Sequence, residues 1–222
     1  MDASATALAE RERRQAVGRL RRARTRARIL AAAFDLFGSD SGLYARIEEI
    51  AQRAGITRAT FYDHFTGMAE LREALAVEVT HDFLIAVRDA LSTLPDPRER
   101  AAAAIRFYLH RVRAAPRWGW SMVNLSASGV IFGAETHGEA EHTVQEGMAA
   151  GMLHLPHSAL GRDLILGATL AAMGTMLRER VAPDYPEQIV VPVLCGLGVA
   201  RDAAQAIAAR PLPPLRETAP QT

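Results

Sequence analysis

Residues 47–65 read IEEIAQRAGITRATFYDHF, and the spacing inside this stretch decides the fold. Ile47, Ile50, Ala51 and Ala54 recur at the interval of one buried helix face, so a short helix is expected from Ile47 to Ala54. Gly55-Ile56 supplies a turn and an apolar wedge. Thr57 then stands as N-cap of a second helix that turns Phe61 and Phe65 inward. Two short helices crossing at a tight turn need a small residue where they touch (Ala51) and a glycine at the turn (Gly55), and both stand at the offsets of a helix-turn-helix. In such a unit the second helix enters the ~12 Å major groove of duplex DNA while the first braces it. The second helix is expected to expose Thr57, Arg58, Ala59, Thr60, Tyr62, Asp63 and His64, a face of short polar and aromatic groups suited to phosphates and base edges. A helical hairpin with a glycine turn imitates the same spacing, and the pattern alone leaves that alternative open.

Working outward, the sequence reads as helix almost throughout, with no period-two alternation. Residues 1–18 are expected to be a flexible basic extension. A helix follows from Arg19 to Phe37, with Ile29, Leu30, Ala33, Phe34 and Phe37 on one face, ended by the turn residues 38–42. Residues 19–67 thus form a three-helix DNA-binding domain. A larger helical domain spans residues 68–210. Its helices are expected at Met68–Leu94, Arg98–Ala114, Arg117–Ala127, Glu135–Ala150, Ala159–Arg180, Glu187–Leu197 and Arg201–Ala209, and residues 211–222 form a proline-rich tail. The fold class is all-α.

Composition narrows the chemistry. The 222 residues are 49% hydrophobic, enough for a real core. All 26 basic residues are arginine, so mechanisms that need a lysine, such as a Walker phosphate loop or a Schiff base, are excluded. The one cysteine, Cys195, excludes an intramolecular disulfide and a thiolate zinc cluster. The net charge of +1 conceals a polarity: residues 10–28 hold nine arginines against two glutamates. That basic end fits a polyanion partner, or else a solvated tail. No targeting segment is expected, and the apolar run Leu164–Leu177 falls short of the ~20 residues that span a bilayer, so a cytoplasmic protein is expected.

Residues 28–37, RILAAAFDLF, followed by residues 50–65, IAQRAGITRATFYDHF, resemble the amino-terminal domain of TetR-family transcriptional regulators. The resemblance is close over residues 22–75 and loose over the helical remainder. It implies that Thr57 caps the recognition helix and meets a phosphate. By the same resemblance Arg58 and Ala59 approach base edges, Thr60 touches phosphate or base, and Tyr62 and His64 contact the backbone. Two positions depart from the family pattern. Ala45 stands at the N-cap expected for the bracing helix, followed by Arg46, which either supplies the phosphate contact or is a solvated first-turn residue. Met68 replaces a common lysine, and the arginines at 19, 21, 22, 24, 26 and 28 can compensate for that anchor.

For the larger domain the resemblance implies a small-molecule pocket, with Phe107, Tyr108, His110, Arg111, Trp118, Trp120, Met122, Phe132, Met148 and Met152 as candidates. A purely structural role in the core accounts equally well for more than half of them. Helix 159–180, with Gly167, Ala168, Ala171 and Gly174, and helix 187–197, with Val190, Val191, Leu194 and Leu197, imply a four-helix homodimer interface, unless the same faces bury within one subunit. His137, Glu139, Glu141 and His142 lack metal-binding spacing and read as a solvated face. No catalytic, metal or cofactor site is expected. The reading is a homodimeric repressor that binds a palindromic double-stranded DNA operator and is released by a small molecule. The alternatives are a small helical enzyme with an incidental hairpin, which needs a reactive pair in a cleft, and a non-specific nucleic-acid binder, which would show no preferred site.

Overall fold

Between Ala3 and Phe37 the only strong helix breaker is Gly18. In the computed structural model of the protein, which describes residues 3–127, 129 and 131–215, the whole stretch is one helix, α1 (Ala3–Phe37). The segment expected as a flexible extension is therefore helical from Ala3 onward. Alanine, arginine, glutamate and leucine are all good helix formers, and one interior glycine costs only ~1 kcal/mol. Glu10 and Arg14 pair across one turn at 3.5 Å. The helix is about 52 Å long at ~1.5 Å per residue.

A 3₁₀ turn (Asp40–Tyr44), α2 (Ile47–Arg53) and α3 (Arg58–Tyr62) complete the reading head. Its core is Ile29, Ala33, Phe37, Ile50, Phe61 and Phe65, all essentially inaccessible to solvent. Gly55 adopts φ +64°, the left-handed conformation that the α2–α3 turn requires. Arg46, not Ala45, is the N-cap of α2: its backbone N–H donates to Glu49 Oε2 at 2.7 Å, while Ala45 ends the 3₁₀ turn. The Glu49 carboxylate thus supplies the reach-back half of a capping box, taking the N–H of the cap residue itself, whereas a threonine hydroxyl at the cap would accept from an N–H of the first turn.

The larger domain is built from α4 (Met68–Leu91), α5 (Pro97–Ala114), α6 (Pro116–Ser126), α7 (Gly133–Ala149), α8 (Ser158–Arg178), α9 (Tyr185–Gly196) and α10 (Arg201–Ala208). α8 is its central helix, packed by α5, α6, α7 and α9. Its 21 residues have the length and mean hydropathy of a membrane span, yet Ile165, Leu166, Ala172 and Met173 are core residues of the helical domain. The set proposed from sequence for a dimer seam is divided. Met173, Gly174, Val190, Leu194 and Leu197 are buried within the subunit, whereas Leu164, Gly167, Ala168 and Ala171 on α8 and Val191 on α9 retain solvent access. The tail is likewise not free at its start. Leu212 and Leu215 pack on Val87, Ala90, Ala103 and Phe107, and Arg106 Nη1 donates to the Arg210 carbonyl at 2.7 Å. Residues 216–222 of that tail lie outside the described residues.

The two halves meet at a polar pin. Asn124 on α6 is buried, and its Nδ2 donates to the carbonyls of Phe37 and Ser39, each at 2.8 Å. Arg72 on α4 donates to the carbonyls of Asn124 (3.1 Å) and Leu43 (3.0 Å), with its guanidinium 4.7 Å from the Phe37 ring centroid. Gly42 makes room, because a Cβ there would lie 2.7 Å from Asn124 Nδ2. Truncating a buried donor leaves its acceptors unsatisfied at a cost of ~1–3 kcal/mol. Asn124→Ala is accordingly expected to destabilise the protein by about 2 kcal/mol, read as a lower urea midpoint with unchanged slope.

Candidate DNA-binding surface and ligand cavity

The two buried aromatics of α3 dictate which side chains face outward. With Phe61 and Phe65 locked inward, Thr57, Arg58, Ala59 and Tyr62 are exposed, and Thr60 and His64 are half-buried on the same side. Thr57 Oγ1 accepts from the Thr60 backbone N–H at 3.1 Å and lies 3.0 Å from Thr60 Oγ1, so the helix start is capped as expected. Arg58 is held over the outer face: Nη1 is 2.9 Å from Glu48 Oε1, and Nη2 donates to the Tyr62 hydroxyl at 3.4 Å. Arg46 is exposed at the start of α2. The six contact positions expected from sequence, from the α3 N-cap Thr57 to His64 just past its end, all retain solvent access, as does Arg46 on the neighbouring α2.

Two of the arm arginines have a different task from the one expected. Arg22 Nη2 donates to the Asp63 carbonyl at 2.6 Å, and Arg26 Nη1 to the His64 carbonyl at 3.3 Å, while Arg26 lies 4.2 Å from the Phe65 centroid. They satisfy carbonyls left open just past α3, where a cation also suits the helix dipole. A groove runs between α1 and α3, with Arg21 and Arg28 on one wall and Thr57, Thr60 and His64 on the other. Arg11, Arg13, Arg14, Arg19 and Arg24 are exposed along the same helix. Partial burial, together with the nearby Arg22 charge, lowers the pKa of His64, so the imidazole is neutral at pH 7.

The larger domain contains a half-open cavity of about 320 Å³ between α4, α5, α7 and α8. Of the ten candidates read from sequence, Tyr108 and Phe132 line it. The others lie elsewhere. Phe107 belongs to the cluster beneath Leu212 and Leu215, and His110 faces Glu187 at 3.4 Å. Arg111 stacks over Phe83 and Trp118, and Trp118 is a buried neighbour of Tyr108 that donates Nε1–H to the Val79 carbonyl at 3.1 Å. Trp120 lies under Arg178, Met122 is fully buried, Met148 packs on the core, and Met152 is exposed at the surface.

The cavity is lined by small residues at Ala101, Ala104 and Ala140 opposite large ones, and alanines spaced along a helix carry no signal of their own in a sequence this rich in alanine. Sequence reasoning also missed its polar lining. Thr136 and Thr169 are buried, and Tyr108 Oη is 3.2 Å from Thr136 Oγ1. At the rim Arg100 pairs with Glu146, His142 lies 3.5 Å from Glu146, and Arg88 lies 3.7 Å from Glu139. In the segment read from sequence as a solvated face, Glu141 accepts hydrogen bonds from Ser158 and Arg162.

The model of bacterial regulatory proteins of the tetR family matches residues 29–75, and that of the tetracyclin repressor-like C-terminal domain matches residues 96–210, more than half of the chain. The chain belongs to the TetR family of transcriptional regulators. Over 91 residues it is 36% identical to FasR, an HTH-type transcriptional activator of Mycolicibacterium smegmatis, a match spanning 40% of this chain and 41% of that one. SrpR, an HTH-type transcriptional regulator of Pseudomonas putida, is 37% identical over 57 residues, 26% of this chain and 27% of that one. The crystal structure of RolR in complex with resorcinol superposes with a TM-score of 0.73 at 26% identity, covering 89% of this chain and 99% of that chain. FadR of Bacillus subtilis in complex with stearoyl-CoA shares the fold at a TM-score of 0.58 and 17% identity, over 79% of this chain and 98% of that one.

The electrostatics of the TetR head can be read without DNA. In a proton-resolved NMR titration His64 is expected to titrate below 6.5, and Arg22→Ala to move that midpoint upward by removing the neighbouring positive charge. An unchanged midpoint in the variant contradicts the arrangement.

Proposed function

We propose that this TetR-family regulator is a homodimeric repressor that binds a palindromic operator and is released when a small molecule occupies the α4–α5–α7–α8 cavity. The observation that carries the DNA reading is the outward row Thr57, Arg58, Thr60 and Tyr62, with Phe61 and Phe65 anchoring the helix behind it. Arg58 can bond guanine O6 and N7 together, Thr57 and Thr60 offer hydroxyls to phosphate, and a neutral His64 can donate one N–H to a phosphate oxygen. Arg46 and the exposed α1 arginines add phosphate contacts beside the groove. Repression is the simpler sign, because a bound dimer excludes polymerase by bulk alone, whereas activation needs a further contact surface. Such a protein works on DNA in the cytoplasm.

The dimer reading is supported by the outward faces of α8 and α9. Leu160, Leu164, Gly167 and Ala171 on α8 and Val191, Pro192 and Cys195 on α9, two helices that pack on each other, are small or branched apolar residues that retain solvent access. Twofold pairing through these faces would set two α3 helices one turn of DNA apart, about 34–36 Å or a multiple. RolR, solved with resorcinol, supports a ligand-responsive helical domain.

Selection from a random DNA pool is expected to return an inverted repeat, and a reporter carrying it to be silenced by the protein; activation of the reporter would reverse the proposed sign. Arg58→Ala is expected to relax preference at one base pair per half-site, a loss of ~1–3 kcal/mol there. The triple change Arg11→Ala, Arg13→Ala, Arg14→Ala should instead weaken all duplexes alike and flatten the logarithmic salt slope by up to about 2.7 per subunit. Ala171→Arg is expected to give a monomer by sedimentation and to abolish operator binding.

A further inference from the structure

We propose that the cavity takes an uncharged, hydroxyl-bearing ring compound of one or two cycles, its hydroxyl held by the Tyr108–Thr136 pair, and turns away carboxylates and acyl-coenzyme thioesters. The inference rests on reading this cavity as the effector site.

Size sets the first bound. A dry cavity of ~150 Å³ accommodates benzene, so about 320 Å³ has room for a substituted ring or two fused rings. Shape sets the second. The Tyr108 and Phe132 rings meet at 49° with centroids 5.2 Å apart, forming a corner against which a flat ring can pack edge or face.

Charge is the deciding term. The charged side chains at the rim already have opposite partners: Arg100 with Glu146, Arg88 with Glu139, and His142 beside Glu146. An anionic ligand would have to compete with Glu146 or Glu139 for its arginine while leaving the displaced carboxylate in the same rim. It would then meet like-charge repulsion as well as its own desolvation. A neutral hydroxyl faces neither cost. Tyr108 and Thr136 share one hydrogen bond between two hydroxyls, which leaves a second proton and acceptor lone pairs for a ligand hydroxyl. Burial pushes the Tyr108 phenol up to about 12, so it remains a neutral partner throughout the physiological range. The hydroxyls of Thr169 and Thr143 donate to carbonyls of their own helix, at 2.7 and 3.0 Å, which keeps those walls from presenting free donors.

The test uses the full-length protein with phenol, resorcinol, benzoate and stearoyl-CoA as probes. Binding is followed by calorimetry and by tryptophan emission, since Trp118 lies 5.9 Å from the Tyr108 ring. Release from the selected duplex is measured separately. Phenol and resorcinol are expected to bind, benzoate at pH 7 at least about tenfold more weakly, and stearoyl-CoA not at all. Tyr108→Phe and Thr136→Val preserve shape and remove one hydroxyl each. Each is expected to weaken resorcinol about tenfold and leave duplex affinity without ligand unchanged. Tighter binding of benzoate or stearoyl-CoA than of the phenols overturns the proposal. So does wild-type resorcinol affinity in both variants, or failure of both phenols to bind at millimolar concentration. Phenol binding without release of the duplex supports the ligand class and removes the effector reading. Release by stearoyl-CoA does the reverse.

Discussion

The buried amide of Asn124 is the contact on which the arrangement of the two halves depends. It holds the last carbonyl of α1 and the carbonyl of Ser39 from a helix that begins almost eighty residues later. Arg72 completes the pin from α4 by binding the carbonyl of Asn124 itself, that of Leu43 and the face of Phe37. Burial lowers the pKa of the guanidinium, but an arginine remains charged, and carbonyls with an aromatic face offset part of its desolvation. Four elements therefore share one polar knot: α1, the 3₁₀ turn, α4 and α6. A hydrophobic contact at this point would hold the halves together without fixing their angle. Directional bonds to backbone oxygens fix both.

The knot also lies within mechanical reach of the cavity. α4 carries Arg72 near its start and Leu84, Val87, Arg88 and Leu91 on the cavity wall, at most about 28 Å away along one rigid helix. α6 gives a second path. Phe132, whose side chain lines the cavity, sits at φ +59°, a left-handed conformation that costs a residue with a side chain ~1–2 kcal/mol. Its backbone N–H is held by Ser126 Oγ at 3.1 Å, two residues past Asn124. Trp118 straps the start of α6 to α4 through the Val79 carbonyl. A ligand that displaced Phe132 or α4 would therefore bear on the same pin from both sides. Coupling of ~1–3 kcal/mol is typical of such two-site systems.

The reading head was legible in the sequence because it is decided locally. Phe61 and Phe65 point inward, Gly55 adopts φ +64° without the cost a side chain would add, and a capped helix start follows from Thr57 alone. The N-cap of α2 falls at Arg46, one residue beyond Ala45, and the arginine carries no capping hydroxyl to mark it; the Glu49 carboxylate that reaches back to its N–H is the only local signal. The cavity was legible only in part because it is decided by long-range packing. Trp118 and Met122 are aromatic and adaptable, as pocket walls are, but their helix packs against α4 and α5 and turns them into core. Thr136 carries no special motif. Only the seating of α7 against α5 brings its hydroxyl to Tyr108.

With arginine as the sole basic side chain, what each one does is decided by its neighbours. Around the cavity Arg88, Arg100 and Arg162 find carboxylates on adjacent helices, so the interior of the larger domain presents balanced charge. On α1 between Arg19 and Arg28 there is no acid at all in the sequence, and the hydrogen bonds of Arg22 and Arg26 go to neutral carbonyls. Their bonds consume donors without cancelling charge, so the head keeps its positive field at any pH at which the protein is folded, because guanidinium does not deprotonate. A lysine at these positions would hold one carbonyl as a point charge but could not bond a carbonyl and stack flat on Phe65 as Arg26 does. The distribution gives the two halves different electrostatics: arginines without acidic neighbours along α1, and arginine–carboxylate pairs at the cavity rim.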